Sequence, residues 1–155
     1  MVAAIVAVAA LGAAVLVAGT HRRDRAPVAA CPAAAGPLRA DLDGDGCDES
    51  LTFDQGVLSG GGRRYAVGQP GDRVAVGRWL CAGPTVALLR MATGEVFRFD
   101  AWPDGEHPAP ASLVGRVPGA TALEAKHHVR SACDDLVVQR TAGPPVVVGR
   151  EPVTG

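Results

Sequence analysis

The 155-residue sequence predicts an all-β fold: short antiparallel strands in two to three weak repeats, behind an N-terminal apolar helix. Three observations carry this. From Leu38 onward no helical period is sustained, and apolar residues fall in short alternating or continuous runs. "SGGG", "QPGD", "ATGE" and "WPDGE" punctuate those runs as turn signals. Val2 to Gly19, by contrast, holds no charged or strongly polar side chain, and eight of its residues are Val, Ile or Leu.

Residues 1–20 therefore read as a transmembrane anchor or a signal segment. The eight branched aliphatic side chains together favour insertion by roughly 3 kcal/mol. The length sits at the short end for a membrane helix and is long for a signal-peptide core, and Val17-Ala18-Gly19 suits a signal peptidase. A buried soluble helix would need a polar stripe, which is missing. "HRRDR" follows the apolar run, and by the positive-inside rule alone it would hold the rest in the cytoplasm. Four cysteines and an acidic metal-type loop argue for the exterior instead. "VAAC" before Pro32 has only the outline of a lipidation box, and lipidating Cys31 would leave an odd number of thiols. Residues 21–37, basic and then Pro/Ala-rich, form a linker. Residues 38–155 form an extracytoplasmic β domain, single-pass anchored at the cell membrane or, alternatively, secreted.

Strands are expected near residues 38–41, 50–53, 63–67, 73–79, 86–90, 96–99, 113–117, 122–125, 136–140 and 146–148. Aromatics make up only 4% of the chain, so Val, Leu and Ala must build the core. A net charge of -1 disfavours nucleic acid as a partner. A weak internal repeat lays "ADLDGDGCDESLTF" over "GRWLCAGPTVALL", with Asp41, Asp43 and Asp45 on Arg78, Leu80 and Ala82. A third copy ends in "CDDLVVQR", where Cys133 and Asp135 match Cys47 and Glu49, and His127, Val129 and Ser131 take the aspartate places.

"DLDGDGCDE", Asp41 through Glu49, packs five carboxylates into nine residues. Ca²⁺ takes six to eight oxygens, and carboxylates at alternate positions of a tight loop converge on one point. Asp41, Asp43 and Asp45 would fill positions one, three and five. The Cys47 carbonyl would fill position seven and Glu49 position nine, with Gly46 at the sharp turn. Position twelve is Thr52, where an EF-hand requires Glu, and "SLTF" reads as a strand, so the loop is not an EF-hand. The plain alternative is a solvated turn, since two carboxylates 4 Å apart in water repel by only about 1 kcal/mol.

"DLDGDGCDE" followed by a strand resembles the calcium loop of FG-GAP/VCBS-type repeats, the blades of integrin-like β-propellers, in degenerate form. "GQPGDRVAVGRW" and "ALLRMATGEVFRFDAW" are similar to the version found in secreted actinobacterial proteins. The resemblance covers residues 38–102 well and the remainder weakly. It implies blade-like β-hairpin repeats with Asp41, Asp43, Asp45 and Glu49 as the ligands of one Ca²⁺. Arg78 and Leu80 depart from the family's aspartates and argue against a second metal. Two or three copies are too few to close a standard propeller, which leaves a partial or atypical one.

Four cysteines in an exported domain imply two disulfides from three possible pairings. The repeat favours Cys31–Cys47, closing the first copy, and Cys81–Cys133, joining equivalent loops of the other two. A zinc site from His127, His128 and Cys133 matches no common ligand spacing. "LSGGGRR" lacks the ending of a phosphate loop, no nucleophile elbow surrounds Ser59, Ser112 or Ser131, and Asp134-Asp135 reads as a turn acid and a strand start. Trp79 reads as core, and Trp102 as core or recognition anchor. The expectation is a non-catalytic module, calcium-stabilised, that binds a protein or glycan partner at the bacterial envelope. A structural or accessory domain is the alternative, and an extracytoplasmic hydrolase a more distant one.

Overall fold

The computed structural model describes residues 30–103 and 109–149. The chain divides into Met1–Ala30 and Cys31–Gly155. The apolar segment 1–20 and most of the linker lie outside the described residues, as do residues 104–108 of the "WPDGE" and "HPAPA" stretch. Among the described residues no helix is long and apolar enough to cross a membrane.

The described chain is all-β. Its strands are β1 (Arg39–Ala40), β2 (Glu49–Ser50), β3 (Thr52–Asp54), β4 (Val57–Gly60), β5 (Arg63–Ala66), β6 (Arg73–Gly77), β7 (Thr85–Arg90), β8 (Glu95–Phe99), β9 (Ala111–Arg116), β10 (Ala120–His127), β11 (Asp134–Arg140) and β12 (Val146–Val148). They form four antiparallel sheets, ordered β1-β2, β3-β4-β5, β6-β7-β8-β9 and β10-β11-β12. Every strand expected from the sequence overlaps an observed one. The expected strand at 50–53 is broken at Leu51 into β2 and β3, and β4 was not expected at all. "VLSGGG" offers only two apolar residues before its glycines, so it reads as a turn. In the fold Leu58 is fully buried, and β4 is the middle strand, with Leu58 between Phe53 and Tyr65. Gly61 and Gly62 make the two-residue turn into β5 at φ 54° and 73°, a pair of left-handed positions that matches the strand twist and favours glycine.

β7, "TVALLR", is the hub. It pairs with β6 and β8, and Thr85 to Leu89 are all buried, as expected of a strand covered on both faces. Its side chains alternate between two cores. Val86 and Leu88 join Ala40, Leu51, Leu58, Tyr65, Val67 and Phe99, contributed mainly by β1 to β5. Ala87 and Leu89 join Trp79, Val96, Val117, Leu123, Leu136 and Val138, contributed largely by β10 and β11. The sheet β6–β9 is thus the middle layer, with β1–β5 on one face and β10–β12 on the other. Most buried side chains are Ala, Val or Leu, as the aromatic-poor composition requires.

Trp79 is core, as expected. Its ring lies over the Gly77 backbone, and its indole N–H donates to the Thr85 carbonyl at 3.1 Å. A Cβ on Gly77 would meet Trp79 Cη2 at 2.5 Å, so the ring would have to move. Gly77→Ala is therefore expected to cost about 1–3 kcal/mol by overpacking. It should also shift Trp79 fluorescence to the red. An unchanged spectrum and urea midpoint would show that the ring does not rest there.

Candidate metal centre

β1 and β2 pair Ala40 with Glu49, so the strand ends bring the two ends of the acidic loop together. Asp41 follows β1 directly, and Glu49 opens β2. Between them the loop is folded by its own carboxylates. Asp41 Oδ1 accepts from Gly44 N–H at 2.7 Å, and its Oδ2 from Gly46 N–H at 3.0 Å. Asp43 Oδ1 accepts from Asp45 N–H at 3.1 Å, and Asp45 Oδ1 from Cys47 N–H at 2.7 Å. Glu49 Oε2 accepts from Leu42 N–H at 2.7 Å. Gly44 and Gly46, at φ 80° and 89°, allow the reversals that aim alternate side chains inward. The β4–β5 turn backs the cluster: a Cβ on Gly61 would come within 3.2 Å of Glu49 Cγ.

As a result, ligand oxygens of Asp41, Asp43, Asp45 and Glu49 lie within 4.8 Å of one another. These are four of the five residues the sequence nominated. The fifth, Cys47, is half-buried, with its N–H on Asp45 and its sulfur in a disulfide to Cys31. Asp48 is exposed and stands outside the group. Among the described residues, no Arg, Lys or His forms an ion pair with any of the four. Four hard, anionic oxygens without a counter-charge fit a hard cation such as Ca²⁺ or Mg²⁺, and not a soft transition metal. The group could hold a metal ion.

Two further loops occupy the corresponding place between paired strands, and both are closed without such acids. Residues 78–84 join β6 to β7, which pair to Gly77↔Thr85. Two indoles fasten this loop, Trp79 N–H on the Thr85 carbonyl and Trp102 N–H on the Pro84 carbonyl at 2.9 Å. Trp102 packs against the first core with its ring centroid 5.1 Å from that of Tyr65, so it serves the fold. Residues 128–133 join β10 to β11, which pair to His127↔Asp134. Here imidazoles meet the carboxylates: His127 Nδ1 lies 2.8 Å from Asp134, and His128 Nε2 lies 2.6 Å from Asp135.

These two loops are joined to each other. Cys81 and Cys133 form a disulfide. Arg78 N–H donates to Asp134 Oδ2 at 2.8 Å, and Asp134 N–H donates to the Arg78 carbonyl at 3.0 Å. Cys81 sits at φ 61°, a left-handed conformation uncommon for a non-glycine residue. Both disulfides are those the repeat alignment favoured, and among the described residues no cysteine is free. The zinc alternative fails on this point, because Cys133 is no thiolate and His127 and His128 face carboxylates. Sequence reasoning took Asp134 for a plain turn acid and missed its bridging role. Only the Asp-Asp doublet after a cysteine hinted at it.

A cleft of about 840 Å³ lies beside the Cys81–Cys133 bridge, lined in part by Trp79, Arg98, His128, Asp135, Leu136 and Val148. It is distant in sequence from the acidic loop and shares none of its residues. No family model matches the chain, and no curated protein or solved structure matches it.

Proposed function

We propose that residues 38–155 are a non-catalytic, calcium-stabilised β module of the FG-GAP/VCBS kind, exported and held at the bacterial envelope by the apolar segment 1–20 or secreted, and that it recognises a protein or glycan partner. The observation that carries the calcium reading is the convergence of Asp41, Asp43, Asp45 and Glu49 within 4.8 Å, with no cationic side chain paired to them among the described residues. Order of strands supports the repeat. β1–β5, β6–β9 and β10–β12 each open with a strand, a loop and an antiparallel partner, the order that blade-like repeats would have. Two disulfides support an oxidising compartment.

When bound, Ca²⁺ would neutralise the clustered carboxylates and cross-link the ends of β1 and β2. Asp41 and Glu49 would hold it from the strand ends, Asp43 and Asp45 from the loop. Extracellular modules bind calcium with dissociation constants on the order of 10⁻⁴–10⁻³ M. Millimolar calcium then adds roughly 0.4–1.4 kcal/mol, and melting rises by a few degrees. Mg²⁺ should substitute poorly, since it gives up water reluctantly and demands octahedral geometry. Asp43→Ala should abolish the shift and leave the fold intact. Melting curves with calcium and with chelator test this, alongside calorimetric titration. Identical curves and no heat at millimolar calcium would reduce the loop to a hydrogen-bonded turn.

A further inference from the structure

We propose that the Cys31–Cys47 disulfide is a redox-sensitive clamp on the acidic loop, and that its reduction weakens cation binding there; the inference rests on the calcium reading above. Of the four carboxylates, Asp41 and Glu49 are placed by paired backbone at the β1 and β2 ends. Asp43 and Asp45 have no such support. They ride on exposed residues whose hydrogen bonds are nearly all internal to the loop. The covalent tie is at Cys47, and it acts directly on a ligand, because Cys47 N–H is the donor that orients Asp45 Oδ1 at 2.7 Å. The Cα atoms of Cys31 and Cys47 are 5.3 Å apart across a sequence separation of 16.

The disulfide also brings a second segment to the site. Ala35 N–H donates to Ser50 Oγ at 2.7 Å. Pro32, Ala33 and Ala34 line, with Asp45, Cys47 and Glu49, a shallow cavity of about 340 Å³ beside the acid cluster. Residues 31–35 therefore wall one side of the loop, tied there among the described residues by the S–S bond and that hydrogen bond. Four like charges repel when no cation is bound. With the clamp in place, folding itself orders the loop against this repulsion. Without it, ordering falls on the binding step and the affinity drops. Cys31 is exposed, so an external thiol can reach the bond.

The chemistry balances with a small-molecule thiol as reductant. Two R–SH become one R–S–S–R, their two electrons and two protons pass to the protein, the Cys31–Cys47 S–S bond breaks, and two S–H bonds form. Linkage makes the effect reciprocal: whatever factor the disulfide lends to calcium affinity, calcium lends to the disulfide. A tenfold coupling corresponds to about 30 mV for a two-electron couple.

The test is calorimetric titration of the full-length chain with CaCl₂, oxidised wild type against Cys31→Ser/Cys47→Ser, with circular dichroism to confirm the fold. The double variant is expected to bind about tenfold more weakly. Affinities equal within twofold would overturn the clamp and leave the calcium reading standing. Absence of binding by the oxidised wild type would overturn both. Should the double variant fail to fold, a glutathione redox titration of the wild type, read by mass of alkylated peptides, decides. The Cys31–Cys47 midpoint should lie about 30 mV more negative at saturating calcium, about 100 mM, than with chelator, and an unmoved midpoint overturns the proposal.

Discussion

Leu88→Ala is expected to lower the unfolding free energy by about 2–5 kcal/mol, the range for truncating a buried leucine whose site cannot collapse. Leu88 is 1% exposed and sits mid-strand on β7, opposite Val74 of β6 and Phe97 of β8. It points into the core shared with Leu58, Tyr65 and Phe99, and its Cδ1 packs against the Gly68 backbone. Paired strands on both sides hold the surrounding backbone, so the cavity persists. Domains of this kind hold only about 5–15 kcal/mol in total, so the loss should be visible as a large fall in urea midpoint at unchanged slope. Leu89→Ala, one residue on, faces the other core and is equally buried. Its cost should fall in the same range. If either variant lost less than about 1 kcal/mol, the middle-layer position of β7 would be wrong, because a leucine on a solvated face loses far less than a buried one.

Replacing both Cys81 and Cys133 by serine is expected to cost about 4 kcal/mol. The bridge spans a sequence separation of 52, and closing a loop of that length removes about that much entropy from the unfolded chain. Arg78 and Asp134 exchange two hydrogen bonds across the same joint, so the native loops should stay docked and the loss should come chiefly through the unfolded state. Thermal melting of the double variant checks the magnitude, and a denaturant slope larger than wild type checks the origin, since an uncrosslinked chain exposes more surface. A melting temperature within a degree or two of wild type would mean the bridge adds nothing beyond the contacts around it.

Much of this protein is legible in its residues because the signals are local. The apolar run at 86–90 marks a strand, Gly and Pro clusters mark the turns, and alternate aspartates with a glycine mark a loop whose carboxylates must converge. Strand period, turn chemistry and short-range carboxylate-to-backbone bonds all act within a few residues, and a reader can follow them along the chain. β4 escaped this reading because a strand of two apolar residues and a glycine is stabilised by its neighbours Phe53 and Tyr65, not by its own composition. The cysteine pairing lies between the two cases. The repeat pointed to it, while the docking of loop 78–84 on loop 128–133 makes it possible in space. Other features belonged to the tertiary structure alone. These are the division of β7's side chains between two cores, the indoles and imidazoles that close the acid-poor loops, and the packing of residues 31–35 against the acidic loop. Each depends on which sheet lies against which, a choice made by summed apolar burial across distant segments, and no window of the sequence contains that sum.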